Sequence, residues 1–404
     1  MIARPSYLDA LIRLRDKDLI KVITGIRRCG KSTVFKLFQN YLRSGGVADE
    51  QIISMNLEDP DYFGIETSKQ LYDFIKDQIL PDNQMYIFFD EIQRIKDFEK
   101  IAAGLHSRKN CDVYITGSNA YILSGELATY LAGRYIRIKM LPLSFKEYMS
   151  ALPETVRAEV NKRYEDYTHN SAFPYTLSLP NAEDRTQYLM DIYDTIVLRD
   201  IVARRKFPDI SMLQSVVRFL FNNIGNTNST KKIADTMTSA GRKISVHTVE
   251  NYIEALTDCF IFYKVSRYDI KGKQYLKTGN KYYAADLGLR YALFGTKKED
   301  DGHILENVVF LELLRRGYEV YIGKVGNTEV DFIAIGDEGE EYYQVAYTVT
   351  DADGSALRRE LAPLNAIGDH NPKYLLTMDY KHLTSHNGIK QINVLDWLLK
   401  DRRC

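Results

Sequence analysis

The residues with the clearest chemical potential form one short loop near the amino terminus. The loop covers residues 25–33 and reads Gly-Ile-Arg-Arg-Cys-Gly-Lys-Ser-Thr, which has the spacing G-x-x-x-x-G-K-S. Gly25 and Gly30 let the backbone approach a phosphate, so that successive amide N–H groups converge on one anion. Lys31 can reach the β- and γ-phosphates, and the Ser32 hydroxyl can bind Mg²⁺, which prefers oxygen ligands. The loop therefore predicts a P-loop for a nucleotide with Mg²⁺.

The remaining members of the loop are also assigned to nucleotide binding, mainly through their backbone. They are Ile26, Arg27, Arg28, Cys29 and Thr33. The two arginines occupy positions that the motif leaves variable, which favours solvated loop charges over direct contact with the nucleotide. The thiol could make binding sensitive to oxidation, but the role of a small filler is favoured.

Two carboxylates follow an apolar run farther along the chain. Residues 85–89 predict a buried parallel strand that ends in Asp90 and Glu91. An aspartate at the carboxyl end of such a strand can hold the hydration shell of Mg²⁺ beside Ser32. The glutamate after it can polarise the water that attacks the γ-phosphate. This pair predicts a hydrolytic site.

Neutral polar residues follow the next apolar strand. Residues 112–119 predict an apolar strand that ends in Ser118 and Asn119, either of which could hydrogen-bond a γ-phosphate or orient the water. Asn56 ends another predicted strand, where it could restrain Glu91 in the resting state. A turn-capping role is favoured for Asn56.

Length, charge and cysteine usage exclude several classes of protein. The 404 residues suggest two or three domains. Lys plus Arg and Asp plus Glu number 54 each, so any contact with nucleic acid must come from a local patch. The four cysteines form no C-x-x-C pair, which indicates free thiols in a reducing cytoplasm and no structural zinc. Neither an export signal nor a membrane-spanning run is recognisable, so we expect no membrane association.

The central motifs resemble those of a known family. The run TGSNAYILSGELATYLAGRYIRIKMLPLSFKEYM at residues 116–149, with GIRRCGKST and YIFFDE before it, is similar to a prokaryotic family of AAA-type ATPases with a restriction-endonuclease-like carboxyl-terminal domain. The similarity covers nearly the whole chain. It implies ATP rather than GTP as ligand. It also implies that Arg134 senses the γ-phosphate or acts as an arginine finger, in its own chain or across an oligomer. A surface salt bridge stays an equal alternative for Arg134.

The predicted fold class is α/β, with a P-loop NTPase domain of the AAA type followed by a winged-helix module and a nuclease-like α/β domain. We expect an ATPase domain at 1–150, a helical lid or linker at 151–208, a winged helix at 209–295 and the nuclease-like domain at 296–404. The winged helix is predicted from helices at 212–223, 230–239 and 245–258 and two strands near 260–265 and 281–283.

The predicted wing is the part of the chain that could contact DNA. Its cations surround Tyr268 and Tyr275 and comprise Arg267, Lys271, Lys273, Lys277 and Lys281. Such a basic and aromatic mixture can follow a phosphate backbone. The third helix instead presents Glu250, Glu254 and Asp258, which disfavours its entry into a groove of DNA. A solvated hairpin remains the alternative.

The carboxyl-terminal segment has the element order α-β-β-β-α-β, which resembles restriction-endonuclease-like nucleases. In those enzymes a helical Glu, an acid on the second strand and an acid-x-Lys on the third bind Mg²⁺. Glu306 and Asp331 fit the first two positions, whereas Gln344 and Ala346 stand at the third. Because alanine has no amine to activate water, we expect a degenerate nuclease site.

Three functions follow from these observations. The first is Mg²⁺-dependent ATP binding and hydrolysis, in which the carboxyl-terminal modules act as the output. The second is a nucleotide-gated regulator with negligible turnover that binds DNA or an unidentified protein. The third is an ATP-controlled, metal-dependent nuclease. An oligomer is compatible with each of them.

Overall fold

The computed structural model describes residues 1–123, 131, 133–202, 205, 207, 209–295, 300–380 and 384–400. Contacts within the chain define two compact units. Unit 1 comprises Met1–Pro142 with Asp258–Phe260, and unit 2 comprises Leu143–Thr257 with Ile261–Cys404. Within the described ranges, no helix is both long and apolar enough to cross a membrane.

Unit 1 is built on a parallel sheet of five strands in the order β2-β3-β4-β1-β5. The strands are β1 Ile20–Thr24, β2 Ile52–Asn56, β3 Met85–Asp90, β4 Cys111–Gly117 and β5 Tyr135–Lys139. The α-helices are α1 Pro5–Leu14, α2 Lys31–Ser44, α3 Ser68–Ile75 and α4 Phe98–His106. The predicted α/β fold with a parallel sheet is confirmed.

The sheet of unit 1 is covered on both faces, because parallel strands joined by helices bury both sides. All residues of β1, β3 and β4 are buried. Aromatic rings pack on one face, where Phe88 stacks on Tyr114 with ring centroids 4.7 Å apart and Phe38 packs against both. Since the strands are parallel, the residues that follow β1, β3 and β4 meet at one edge of the sheet.

Unit 2 contains most of the helices and an eight-stranded sheet in the order β12-β13-β11-β10-β9-β8-β6-β7. Its strands are β6 Phe262–Asp269, β7 Gln274–Ala284, β8 Glu319–Val325, β9 Thr328–Gly336, β10 Gly339–Ala346, β11 Lys373–Thr377, β12 Thr384–His386 and β13 Ile389–Asn393. The next helices along the chain are α5 Phe145–Ala151, α6 Val160–His169, α7 Ala182–Asp194, α8 Ile210–Asn222, α9 Thr230–Ser239, α10 Val246–Asp258, α11 Leu287–Phe294, α12 Asp301–Arg315, α13 Ser355–Asn365 and α14 Val394–Leu399. A π-helix covers Thr195–Val202.

The elements expected for the two carboxyl-terminal modules are present, but they share one sheet. Helices α8 to α10 precede the antiparallel pair β6 and β7. Strand β6 also pairs in parallel with β8, so that Arg267 lies opposite Ile322. The sheet therefore runs across the boundary expected between 295 and 296. The division of unit 2 into a winged helix and a nuclease-like domain stays a prediction.

Candidate functional site

The predicted phosphate loop joins β1 to α2 at the carboxyl edge of the sheet in unit 1. A Cβ atom added to Gly25 would lie 2.1 Å from the carbonyl oxygen of Met140, so only glycine fits there. Gly30 has φ of 106° and caps α2, which begins at Lys31. The hydroxyl-bearing Ser32 is exposed in the first turn. The loop thus directs a helix amino terminus toward solvent, the arrangement that binds anions.

Lys31 is buried, and its ammonium lies inside the loop. Its Nζ donates to the carbonyl oxygens of Gly25 at 3.1 Å and Ile26 at 3.4 Å. It is also 3.4 Å from Oε1 of Glu91. Burial is the largest single influence and would lower the pKa of Lys31, but Glu91, Cys29 and Asp90 together outweigh it and the pKa is raised. The lysine is therefore a permanent cation at this edge.

Asp90 ends β3 and lies beside the first turn of α2. Its carboxylate accepts a hydrogen bond from the hydroxyl of Thr116, and the nearby hydroxyl of Ser32 also favours its charged form. Burial raises the pKa of Asp90 in spite of these two donors. Asp90 and Ser32 together offer hard oxygen atoms, the donor set that suits Mg²⁺.

Glu91 follows at once and has φ of 54°, a left-handed conformation that is uncommon outside glycine. Its N–H donates to Oγ1 of Thr116 at 2.9 Å. Its side chain receives a hydrogen bond from Gln93, and the nearby hydroxyl of Ser118 also favours its charged form. Burial would raise the pKa of Glu91, but Lys31 and these donors lower it overall. Glu91 is therefore held as a carboxylate.

The predicted sensor residues lie at the end of β4, beside Glu91. Ser118 is buried, and its Oγ accepts a hydrogen bond from Gln93 at 3.4 Å. Asn119 is also buried, and its Nδ2 lies 3.4 Å from Sγ of Cys259, which belongs to the segment 258–260 counted in unit 1. Ser118 thus touches the residues around Glu91, whereas the amide of Asn119 contacts a thiol.

Two residues of this site were missed by the sequence analysis. Thr116 bridges Asp90 and Glu91, and Gln93 bridges Glu91 and Ser118. Because successive side chains of a strand point to opposite faces, Thr116 and Ser118 point to the same face. This alternation is the signal that could have indicated Thr116. Gln93 lies in a short turn after β3, where no pattern predicts the direction of its side chain.

The remaining loop residues separate into exposed and buried positions. Arg28 is exposed as expected, but Arg27 donates to Oε1 of Glu58 at 2.6 Å. Cys29 is fully buried, and burial raises the pKa of its thiol, which agrees with the role of a filler. Asn56 accepts the N–H of Glu58 at 3.2 Å, so its expected turn-capping role is confirmed.

Arg134 is not brought together with the other predicted catalytic residues. Its carbonyl oxygen accepts the N–H of Ile20 at 2.8 Å, which places it at the amino end of β1. The phosphate loop begins beyond Thr24 at the other end of that strand, roughly 13 Å away along extended chain. Arg134 is exposed there.

A second group of predicted site residues lies in unit 2, together with a lysine that was expected elsewhere. Lys281 is one of the cations of the predicted wing, but it is not available to a phosphate backbone because its side chain is only 6% exposed. Its Nζ is 2.8 Å from Oε1 of Glu306, 3.0 Å from Oε1 of Glu329 and 3.8 Å from Oδ1 of Asp331. Lys271 remains exposed, and the side chain of Lys277 lies outside the described residues.

The third position of the predicted nuclease motif lies beside this cluster. Oε1 of Gln344 accepts the N–H of Asp331 at 3.4 Å, and Nε2 donates to Glu360 at 3.0 Å. Oδ2 of Asp331 accepts the N–H of Val345 at 2.8 Å. Gln344 on β10 therefore links Asp331 of β9 to Glu360 of α13. Within the described ranges, no group of three or more His, Cys, Asp and Glu residues is arranged to hold a metal ion.

Comparisons with known proteins agree with this description of unit 1. Residues 17–149 match a family model described as an AAA domain, and residues 161–300 match a domain of unknown function, DUF8612. An uncharacterized protein of Haemophilus influenzae is 41% identical over 403 residues, which are 99% of each protein. The uncharacterized protein MJ1544 of Methanocaldococcus jannaschii is 30% identical over 347 residues, which are 83% of this chain and 76% of that protein.

This chain belongs to the family of these two proteins. Its match to the AAA domain confirms the predicted AAA-type P-loop fold, a nucleotide-binding class. Among solved structures, the Walker-type ATPase paby2304 of Pyrococcus abyssi is similar at 16% identity, with 72% of this chain and 96% of that chain covered and a TM-score of 0.47. The assignment of the fold rests on the family model and on the five-stranded sheet.

Proposed function

We propose that this protein binds ATP with Mg²⁺ and hydrolyses it at the edge of unit 1. The observation that carries the proposal is the convergence of four side chains. Lys31 is in ion-pair contact with Glu91, and the Ser32 hydroxyl is near enough to Asp90 to act on its pKa. A cation, a hydroxyl and two carboxylates thus lie together at the amino terminus of α2, in the combination that phosphoryl transfer to water requires.

The residues fit a nucleotide with its metal ion. The loop tolerates no side chain at Gly25, and it leaves α2 open toward an anion. Ser32 and Asp90 supply the oxygen atoms for Mg²⁺ and its water shell. When bound, the ion neutralises the phosphates and polarises them toward attack.

The chain's own residues then divide the work. Lys31 exchanges its carbonyl partners for phosphate oxygens, which attract the ammonium more strongly because they carry charge. Glu91 accepts a proton from the attacking water, and Gln93 and Ser118 fix the direction of its carboxylate. Arg134, at the other edge of the sheet, is proposed to act only across an oligomer or as a surface charge.

A comparison of two lysines on the same helix tests the proposal. We expect Lys31→Ala to lower Mg²⁺-dependent phosphate release from ATP by about 100-fold or more, because it removes a charge that contacts the phosphates. Lys36→Ala should release phosphate at the wild-type rate, since Lys36 is an exposed residue of α2. Equal rates for the two variants would contradict the proposal.

A second candidate is a nucleotide-gated binding protein with negligible turnover. This candidate is favoured because Lys31, Gln93 and Ser118 all interact with the Glu91 carboxylate, so the proposed base already has partners within the protein. Its partner would be DNA or a protein. Lys271 and Lys273 are exposed at the turn between β6 and β7, beside the exposed ring of Tyr275.

For unit 2 we propose a winged helix followed by a degenerate nuclease-like domain. The order of helices α8 to α10 and strands β6 and β7 supports the first, and the order from α12 to β11 supports the second. Metal-dependent cleavage by this domain is disfavoured, because Ala346 carries no amine. Charge reversal at Lys271 and Lys273 should weaken DNA binding if the hairpin is the contact.

A further inference from the structure

A buried guanidinium lies against the phosphate loop of unit 1, and none of the roles proposed above uses it. Arg4 immediately precedes α1 and is only 2% exposed. Its Nη1 donates to the carbonyl oxygen of Cys29 at 2.9 Å. Its Nη2 donates to the carbonyl oxygens of Leu141 at 2.7 Å and Pro142 at 3.4 Å. The guanidinium therefore connects the phosphate loop to the segment that follows β5.

Tyr7, in the first turn of α1, holds the guanidinium in this position. Cζ of Arg4 lies 4.8 Å from the centroid of the Tyr7 ring, and the Tyr7 hydroxyl accepts the N–H of Leu141 at 3.0 Å. The buried residues of α1 are Tyr7, Leu11 and Leu14, so the helix packs into unit 1 by the side that carries the tyrosine. This packing fixes the direction in which the two terminal nitrogens of Arg4 point.

The contact with Cys29 determines where the next amide of the loop points. In a trans peptide the C=O and the N–H lie in one plane and point in opposite directions. The carbonyl of Cys29 points toward Arg4, so the N–H of Gly30 points away from Arg4. Gly30 caps α2, and its N–H is one of the donors with which a loop and a helix amino terminus bind an anion.

We propose that Arg4 is a positioning residue of the nucleotide site, which holds the peptide between Cys29 and Gly30 so that its N–H faces a phosphate of ATP. The inference rests on the proposed binding of ATP at this loop, though not on its hydrolysis. Arg4 acts through the backbone, because both terminal nitrogens of its guanidinium are engaged with carbonyl oxygens. Gly30 has φ of 106° and carries no Cβ, so the peptide can turn over once Arg4 is removed. A turned peptide presents a carbonyl oxygen to the phosphate and repels it.

The test compares Arg4→Met with Arg13→Met in the full chain. Arg13 is an exposed arginine of α1 and is the matched control. Isothermal titration with ATP and Mg²⁺ is carried out well below the thermal midpoint of each protein, so that a purely stabilising role leaves the Kd unchanged. We expect Arg4→Met to raise the Kd by about tenfold or more, because one hydrogen bond to a charged group is lost. Arg13→Met should bind ATP with the wild-type Kd.

Arg4→Lys keeps a cation at this position and serves if Arg4→Met folds poorly. It should also raise the Kd, because a compact ammonium lacks the planar fork that reaches Cys29 and Leu141 together. A wild-type Kd in Arg4→Lys would show that charge alone suffices and would overturn the proposal.

The amide of Gly30 gives a readout that a purely stabilising role does not change. Cys29 and Gly30 form the only Cys-Gly pair of the sequence, so labelling cysteine with ¹³C and glycine with ¹⁵N selects this one amide in an NMR spectrum. Saturating ADP should move its resonance downfield in the wild type, where the N–H gains a phosphate acceptor, and should not do so in Arg4→Met. An equal movement in both proteins would overturn the proposal.

The outcomes separate this inference from the function on which it rests. If the wild type binds no ATP, the proposed function and the role of Arg4 both fail. If the wild type binds ATP and the folded Arg4 variants bind it with the same Kd, the role of Arg4 alone is overturned.

Discussion

The site in unit 1 and the cluster in unit 2 each place a buried lysine against carboxylates, but the two lysines differ in how firmly their partners hold them. Lys31 is 3.4 Å from Glu91, and its other partners are two backbone carbonyls of a loop that opens toward solvent. Lys281 is bound by Glu306 and Glu329 within 3.0 Å, and Tyr283 completes Glu306. Lys31 can therefore exchange its partners for a ligand, whereas Lys281 is held in place by its carboxylates.

The difference lies in what surrounds each pair. Around Lys31 the chain provides a glycine loop, an exposed hydroxyl at Ser32 and the amino terminus of α2, all of which favour an incoming anion. Around Lys281 it provides carboxylates that are themselves held by other side chains, with Tyr283 and His303 at Glu306 and Arg267 at Glu329. A lysine–carboxylate pair therefore serves ligand binding in unit 1 and the stability of the fold in unit 2.

The largest effect should come from removing Lys281, the lysine that carboxylates hold in unit 2. Lys281→Met should lower the free energy of unfolding of unit 2 by about 3–5 kcal/mol, because it removes the ammonium that is paired with the buried carboxylate of Glu306. The fluorescence of Trp397, the single tryptophan and a buried residue of unit 2, would report the denaturant transition. A shift no larger than that of the matched surface variant Lys271→Met would contradict the structural role.

A substitution that shifts the backbone of the phosphate loop in unit 1 should have nearly as large an effect. Gly25→Ala should reduce ATP affinity by about tenfold or more, since its methyl group would meet the carbonyl of Met140 at 2.1 Å and shift the loop. Isothermal titration with ATP and Mg²⁺ would measure this. Gly104→Ala in α4 is the control, because open space surrounds that position. Wild-type affinity in Gly25→Ala would argue against binding at this loop.

A smaller effect is expected at the residue that orients Glu91. Gln93→Ala should lower kcat about tenfold with little change in KM, because the carboxylate loses a donor but the phosphate contacts remain. Gln78→Ala, at an exposed glutamine of unit 1, should change neither constant. An increased kcat in Gln93→Ala would instead show that Gln93 restrains the base.

The smallest effect concerns a buried carboxylate that is held by hydrogen bonds. Asp286 caps α11, and its carboxylate accepts from Ser171 at 2.9 Å and from the N–H of Ala172 at 2.7 Å. Burial raises its pKa to about 6, whereas the pKa of Glu306 beside Lys281 is lowered in spite of burial. Folded Asp286 thus keeps a proton that the unfolded chain has released.

The unfolding free energy of unit 2 should therefore fall as pH rises from about 4 to 6, and Asp286 should account for about 1–2 kcal/mol of the fall. Trp397 fluorescence in urea at several pH values would measure the slope. Asp286→Asn should flatten it, and an unchanged slope in that variant would contradict the assignment.

The sequence predicts which residues of unit 1 lie together, because the determinants of that arrangement are local. Residues 25–33 and the pair Asp90 and Glu91 each lie within one turn or strand end, and parallel strands bring such ends together. Thr116 and Gln93 were missed because their role depends on side-chain directions across two strands. No local pattern encodes those directions.

Unit 2 is less predictable because its contacts are long-range. Lys281 lies in a strand with other cations around it, a pattern typical of a solvated hairpin. Its partners Glu306 and Asp331 come 25 and 50 positions later in the sequence. The parallel pairing of β6 with β8 likewise joins residues 55 positions apart, such as Arg267 and Ile322, which periodicity alone does not indicate.

The central claim is that Glu91 turns a nucleotide-binding loop into a hydrolytic site. The most direct measurement records ATP binding and phosphate release for wild type and Glu91→Gln in the same buffer with Mg²⁺. We predict that the variant binds ATP with an affinity close to that of wild type and releases phosphate about 100-fold more slowly or less. Equal phosphate release by the two proteins would contradict the claim and favour the nucleotide-gated binding protein.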